Sequence, residues 1–174
     1  FNTGIFTNLS QDHLDYHKNL TNYLKAKLYL FQKLMKKKGN IITDQEIPQF
    51  KRIKKISYEN KFNLYSLTDK KNKFQLLSHE FKGESQILNI KYKNSIKRIQ
   101  LNLIGKLQVK NILMAIISAS ISNVNLNKIF NVISKIKPVE GRLQRIGNIR
   151  NRSKVILDYA HTPQALKTSI LNLK

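Results

Sequence analysis

The chain has 174 residues, 41% of them hydrophobic and none of them cysteine, so it can bury a core but excludes disulfides and thiolate zinc sites. Its 32 Lys and Arg against 10 Asp and Glu give a net charge of +22, and no apolar run is long enough to span a membrane. The basic residues are spread along the whole chain beside heavy Asn and Ile usage, as an AT-rich coding sequence produces at tolerant surface positions; this predicts weak, salt-dependent binding of polyanions and no dedicated nucleic-acid site.

Phe1 is not an initiator methionine, and the basic-then-apolar order of a signal peptide is missing. The sequence is therefore expected to be an excerpt of a longer cytoplasmic protein without membrane insertion. Residues 5–9 form an apolar, strand-like run, and Ser10 is the expected N-cap of a long helix. At about 100° per residue, Leu20, Tyr23, Leu24, Leu28, Phe31, Leu34 and Met35 share one face of that helix, with Lys27 in the middle of the stripe. An uncompensated cation there costs on the order of several kcal/mol. Spacing alone leaves two readings: the ammonium snorkels past the rim of the core, or the lysine is paired or chemically changed inside a site. Asp12, His13, Asp15 and His17 favour the second. They place four possible ligands or proton carriers just after a strand, where α/β proteins bind ligands.

Gly39 is the expected stop of the helix, followed by a short strand at 40–43 and Asp44 in a turn. A short helix at 48–55 and a strand at 62–67 lead to a charged turn at 69–73. The period then changes. Residues 74–81, 85–93 and 96–103 read as an antiparallel meander, turning at Lys82-Gly83-Glu84 and Asn94-Ser95. His79, in the first of these strands, reads as an ordinary polar side chain. Gly105 ends the meander, and residues 109–122 form an apolar helix whose Ala115, Ser118, Ala119 and Ser120 suit close packing. Asn111, placed in its first turn, is a cap, a solvent-facing amide or a ligand contact. A second helix at 126–135 is followed by the turn Glu140-Gly141-Arg142. Gly141 frees the backbone there, and Arg142 is a solvated charge or a fork for phosphate. Residues 147–153 read as a polar hairpin loop and 155–157 as a buried strand. Thr162 and Pro163 then start a helix carrying Leu166, Ile170 and Leu171.

Several of these strings are familiar together. Thr7-Asn8-Leu9-Ser10, Asp12-His13-Leu14-Asp15-Tyr16-His17, Tyr23, Ala26-Lys27, Leu30-Phe31 and Asp158-Tyr159-Ala160-His161-Thr162-Pro163 resemble the Mur ligase family, most closely its UDP-N-acetylmuramoyl-tripeptide synthetase branch. The resemblance implies an α/β fold, with a mostly parallel sheet, flanking helices and a small antiparallel sheet. Residues 1–141 would be the C-terminal part of the central ATP-binding domain, whose glycine-rich phosphate loop lies upstream of Phe1. Residues 142–174 would open a Rossmann-like C-terminal domain.

The resemblance also implies roles. His13 would be a magnesium ligand, and Lys27 would be carbamylated, turning a cation into an anionic ligand. The family's Gly-x-x-Asn-x-x-Asn element, whose asparagines contact adenine, keeps Gly105 and Asn111 here but has Gln108 for the first asparagine. Arg142 would be catalytic, near the ATP phosphates, with Gln144 where a glutamate is common. Asp158, Tyr159 and His161 would lie by the nucleotide. Asp12, Asp15 and His17 would fix the turn or orient His13. The implied activity is an ATP-dependent ligation in peptidoglycan precursor synthesis. ATP with Mg²⁺ phosphorylates UDP-N-acetylmuramoyl-L-alanyl-D-glutamate, and a diamino acid then attacks the acyl phosphate. The protein is expected to be a monomer, and this excerpt to be inactive alone. The rival readings are a related ligase of the folylpolyglutamate or cyanophycin synthetase kind, and a basic nucleic-acid-binding module.

Overall fold

The computed structural model describes residues 1–82, 85–150 and 153–173. Gly83 and Glu84 of the first expected meander turn, and Asn151 and Arg152 of the expected loop at 147–153, lie outside the described residues, as does Lys174. The chain divides into two units, residues 1–72 with 113–122, and residues 73–112 with the described residues from 123 on.

In the first unit, β1 (Thr3–Phe6), β2 (Asn40–Thr43) and β3 (Asn63–Ser66) form a parallel sheet in that order, with Gly4 level with Ile41 and Ile41 level with Leu64. Successive strand residues point to opposite faces, and both Ile41 and Ile42 are fully buried, so both faces of β2 are covered. The core is built from Phe6 and Ile41, from Leu28 and Phe31, and from Ile53 and Ile56 of α3 (Phe50–Glu59). Each such side chain stabilises the fold by roughly 2 kcal/mol. Gly4 has a packing reason: a Cβ there would sit 2.7 Å from the Phe31 ring.

The expected long helix is broken. His13 adopts a left-handed backbone (φ 52°) before the single turn α1 (Leu14–His17), and Lys18 (φ 67°) ends that turn. Asn19, not Ser10, caps α2 (Leu20–Tyr29), its Oδ1 accepting from the Asn22 N–H at 2.9 Å. The helix then widens into a π-helical turn, Leu30–Leu34. That turn rotates the following side chains off the 100° schedule, so Phe31 is buried while Leu34 is 45% exposed. Leu20, also expected on the buried face, is exposed in the first turn. The helical stretch ends at Leu34, with Met35 extended, so Gly39 is not its stop. Gly39 instead lets the chain pass close to the Lys36 and Asn2 carbonyls. At the amino ends of the strands the side chains form a ladder: Asn63 Nδ2 donates to Asn40 Oδ1 at 3.1 Å, and Asn40 Nδ2 reaches Thr3 Oγ1 at 3.5 Å.

In the second unit the meander is present as read: β4 (Phe74–Lys82), β5 (Ser85–Tyr92) and β6 (Ser95–Leu101) are antiparallel neighbours. Here α5 (Leu126–Ile133) buries Leu126, Ile129, Phe130 and Ile133, and sets Phe130 edge-on to Phe74 and Tyr92. His79 is tied to the buried Gln86 of β5, 2.6 Å from Nε2 to Oε1. The helix α4 (Lys106–Ile121) starts earlier than its apolar pattern, which moves Asn111 into the second turn; it runs from the second unit into the first. Its buried positions, among them Val109, Ile112, Leu113, Ile116 and Ile117, keep helical spacing, whereas Ala115 is exposed. The hairpin is longer than expected, because β7 (Gln144–Ile149) takes up residues 147–149. Its partner β8 (Ser153–Leu157) is not a buried strand: Val155 and Ile156 are half-buried and Leu157 is exposed. Thr162 caps α6 (Pro163–Asn172) as read, accepting from the Ala165 N–H at 3.2 Å. Among the described residues, no helix is long and apolar enough to cross a membrane.

Candidate functional site

The first cluster lies where β1 ends. Lys27 is half-buried, one helical turn after Tyr23, and its Nζ donates to the Asn8 carbonyl at 3.0 Å. The same ammonium lies 4.9 Å from the Tyr23 ring centroid and 5.8 Å from that of Phe6. Ring faces and a carbonyl oxygen are all electron-rich, so they offset the cost of this cation on an apolar stripe.

His13 is exposed, and its ring meets Tyr23 edge-on at 6.0 Å between centroids. The His17 ring stacks on Tyr23 at 4.7 Å. Tyr23 is therefore the common neighbour of both histidines and of Lys27; the sequence marked it as an apolar position and as part of a familiar string, without the ring contacts that give it this place. Asp12 accepts from the His13 backbone N–H at 2.9 Å, and its other carboxylate oxygen lies 3.6 Å from His13 Nε2. Asp15 stands in the first turn of α1.

At the same carboxyl edge, immediately after β2, Asp44 is buried and accepts from the Glu46 N–H at 2.9 Å. Sequence reading left it in a turn. The signal available was an acid directly following a strand read as part of the sheet. Among the described residues, no three His, Asp or Glu side chains converge as a metal cage.

The second cluster is organised by Asp158. Its Oδ2 accepts from the Leu143 N–H at 2.8 Å and its Oδ1 from the Ser169 hydroxyl of α6 at 2.9 Å. Leu143 is buried in a left-handed conformation (φ 47°), so the carboxylate secures a strained turn. Gly141 takes the left-handed conformation its sequence suggested (φ 68°), its N–H donating to Gln144 Oε1 and its carbonyl accepting from the Tyr159 N–H. Arg142 is exposed, with its guanidinium 5.4 Å over the Tyr159 ring. His161 packs edge-on to Tyr159 and places Nδ1 3.0 Å from the Tyr159 carbonyl. A carbonyl only accepts, so Nδ1 carries the proton in that contact. In α4, Asn111 is exposed and reaches Gln108 Oε1 at 3.4 Å, joining the two amides of the Gly-x-x-Gln-x-x-Asn element. The structure thus gathers His13, Lys27 and Tyr23 in the first unit, and Arg142, Asp158, Tyr159 and His161 in the second.

Residues 1–119 match the Mur ligase middle domain as a protein family. The chain is 34% identical over 174 residues to a UDP-N-acetylmuramoyl-L-alanyl-D-glutamate–2,6-diaminopimelate ligase of Rickettsia bellii, covering 99% of the chain and 35% of that protein. It is 36% identical over 171 residues to ligase 2 of the same name from Clostridium acetobutylicum, covering 98% and 34%. A solved structure of a ligase with this name superposes with a TM-score of 0.72 at 25% identity, over 99% of the chain and 35% of that structure. The chain therefore spans about a third of the length of the relatives it matches.

Proposed function

Because this chain belongs to the Mur ligase family, we propose that it is part of an ATP-dependent amide-bond ligase of peptidoglycan precursor synthesis. Its substrates are UDP-N-acetylmuramoyl-L-alanyl-D-glutamate and a diamino acid, for which the names of the relatives favour 2,6-diaminopimelate. Residues 1–141 belong to the central domain and 142–174 open the C-terminal domain. The whole protein acts in the cytoplasm as a monomer. The observation that carries the reading is the meeting of His13 and Lys27 on the ring of Tyr23 at the carboxyl end of β1.

The donor set fits a magnesium ion on one condition. His13 and Asp12 supply a nitrogen and carboxylate oxygens, and the encoded lysine supplies only a cation. Carbamylation of Lys27 provides the missing anionic pair of oxygens. A carbamate keeps one N–H on Nζ, so the bond to the Asn8 carbonyl survives the change. Bound there, Mg²⁺ offsets the repulsion between a substrate carboxylate and the ATP γ-phosphate. Arg142, already laid on Tyr159, presents its fork to the transferring phosphoryl group. Asn111, Asp158, Tyr159 and His161 serve the nucleoside side, Asp158 by holding the turn that carries Arg142.

The test is ligation by the full-length protein, followed as phosphate release and new amide formation with diaminopimelate or lysine as acceptor. Lys27→Ala should lower the rate by about 10³-fold or more, the size of effect expected for a group acting on transition-state charge. Short-chain carboxylates should restore part of it. Near-wild-type activity in Lys27→Ala would sink the carbamate, and failure of the wild-type protein to join either amino acid would sink the ligase.

A further inference from the structure

The start of α4 is held by more than its own sequence. Asn172, in the last turn of α6, accepts from the Leu107 N–H through Oδ1 at 3.0 Å, closing one of the open donors at the amino end of α4. Its Nδ2 donates back to the Thr168 carbonyl at 2.8 Å, which fixes the amide's orientation. Gly105, just before α4, has φ +91°, and a Cβ there would lie 2.9 Å from both Asn172 Cβ and Leu143 Cδ1. From the other side the buried Gln86 donates to the Gly105 carbonyl at 3.2 Å and to the Leu103 carbonyl at 2.6 Å. The path continues along α6 to Ser169 and Asp158, and from there to Leu143 beside Arg142.

We propose that Asn172 is a positioning residue for nucleotide binding: by capping α4 it sets the depth and rotation of the helix that presents Gln108 and Asn111 to the base, and ties them to the turn carrying Arg142. This rests on the ligase reading above. An amide pair reads adenine by matched donors and acceptors, and such pairs lose discrimination when displaced. Asn172 touches no reacting atom, so its effect falls on affinity and base choice more than on turnover.

The test uses the full-length protein, with steady-state ligation kinetics on ATP and GTP and a melting curve for each variant. Asn172→Ala should raise KM for ATP roughly three- to tenfold, the range one lost hydrogen bond supplies. It should leave kcat within about twofold and narrow the preference for ATP over GTP. Asn172→Asp keeps an acceptor for Leu107 but turns an oxygen toward the Thr168 carbonyl and a charge toward the end of α6, so it should recover part of the loss. Asn172→Gln, one methylene too long, should behave like Ala. Unchanged KM and base preference in a folded Ala variant would overturn the proposal, and so would an Asp variant as impaired as the Gln one. If Ala does not fold, the Asp and Gln comparison decides alone. Wild type that fails to bind ATP defeats the ligase reading together with this one; wild type that ligates beside an indifferent Ala variant defeats only the role of Asn172.

Discussion

Around Tyr23 the contacts are the faces and edges of rings, 4.7 and 6.0 Å between centres, with one hydrogen bond of 3.0 Å from Lys27 beside them, whereas around Asp158 they are hydrogen bonds of 2.8 and 2.9 Å. Ring contacts are individually weak and permit small rotations, so the His13 and His17 rings are gathered without being locked. The carboxylate of Asp158 instead joins a left-handed residue of one segment to a helix of another, and its loss leaves a buried turn without its anchor. The difference separates two duties. On the reading proposed above, the first cluster would carry the chemistry and the change of charge at Lys27, and the second would give its neighbours a fixed shape.

Substitutions can break that comparison. Asp158→Ala removes two charge-assisted hydrogen bonds and leaves the Leu143 N–H without its acceptor, so it should lower stability by about 3 kcal/mol, read as a shift of the denaturant midpoint in the full-length protein. A shift under about 0.5 kcal/mol would mean the second cluster is no scaffold. Gly105→Ala should cost about 2 kcal/mol, from a left-handed backbone with a side chain and from the overlap with Asn172 and Leu143. If it is neutral, the tight seat described for α4 is wrong. Tyr23→Leu should barely move stability, by less than about 1 kcal/mol, because the ring is only half-buried. It should nevertheless weaken Mg²⁺ binding, measured by calorimetry, by roughly tenfold, while Tyr23→Phe keeps the ring and most of the affinity. Equal Mg²⁺ affinity in the Leu and Phe variants would remove Tyr23 from the site.

The antiparallel meander was legible in the sequence, because its three longer extended runs are separated by turn residues; the parallel sheet came only from the family resemblance. The family was legible too, since the quoted strings led to the Mur ligases and residues 1–119 match the Mur ligase middle domain. Helix limits were not. Ser10 looked like a cap, but Asn19 captures the Asn22 N–H and starts the helix nine residues later, and nothing local distinguishes those two choices. Leu34 was misplaced because a 100° schedule cannot anticipate a π turn. Leu157 reads as core by hydropathy, yet it is 44% exposed in a two-stranded hairpin. The ring contacts of Tyr23 were hidden for another reason: they depend on which rings meet across a loop, and periodicity carries no such information.

The ladder of Thr3, Asn40 and Asn63 has a bearing on how the parallel sheet answers its surroundings. Amides and a hydroxyl have no proton to gain or lose over the working range of a cell, so the seam they make keeps the same strength in mild acid and mild alkali. Asp44, by contrast, lies buried just past β2 at the opposite rim, so the two rims of one sheet are fastened by different chemistry.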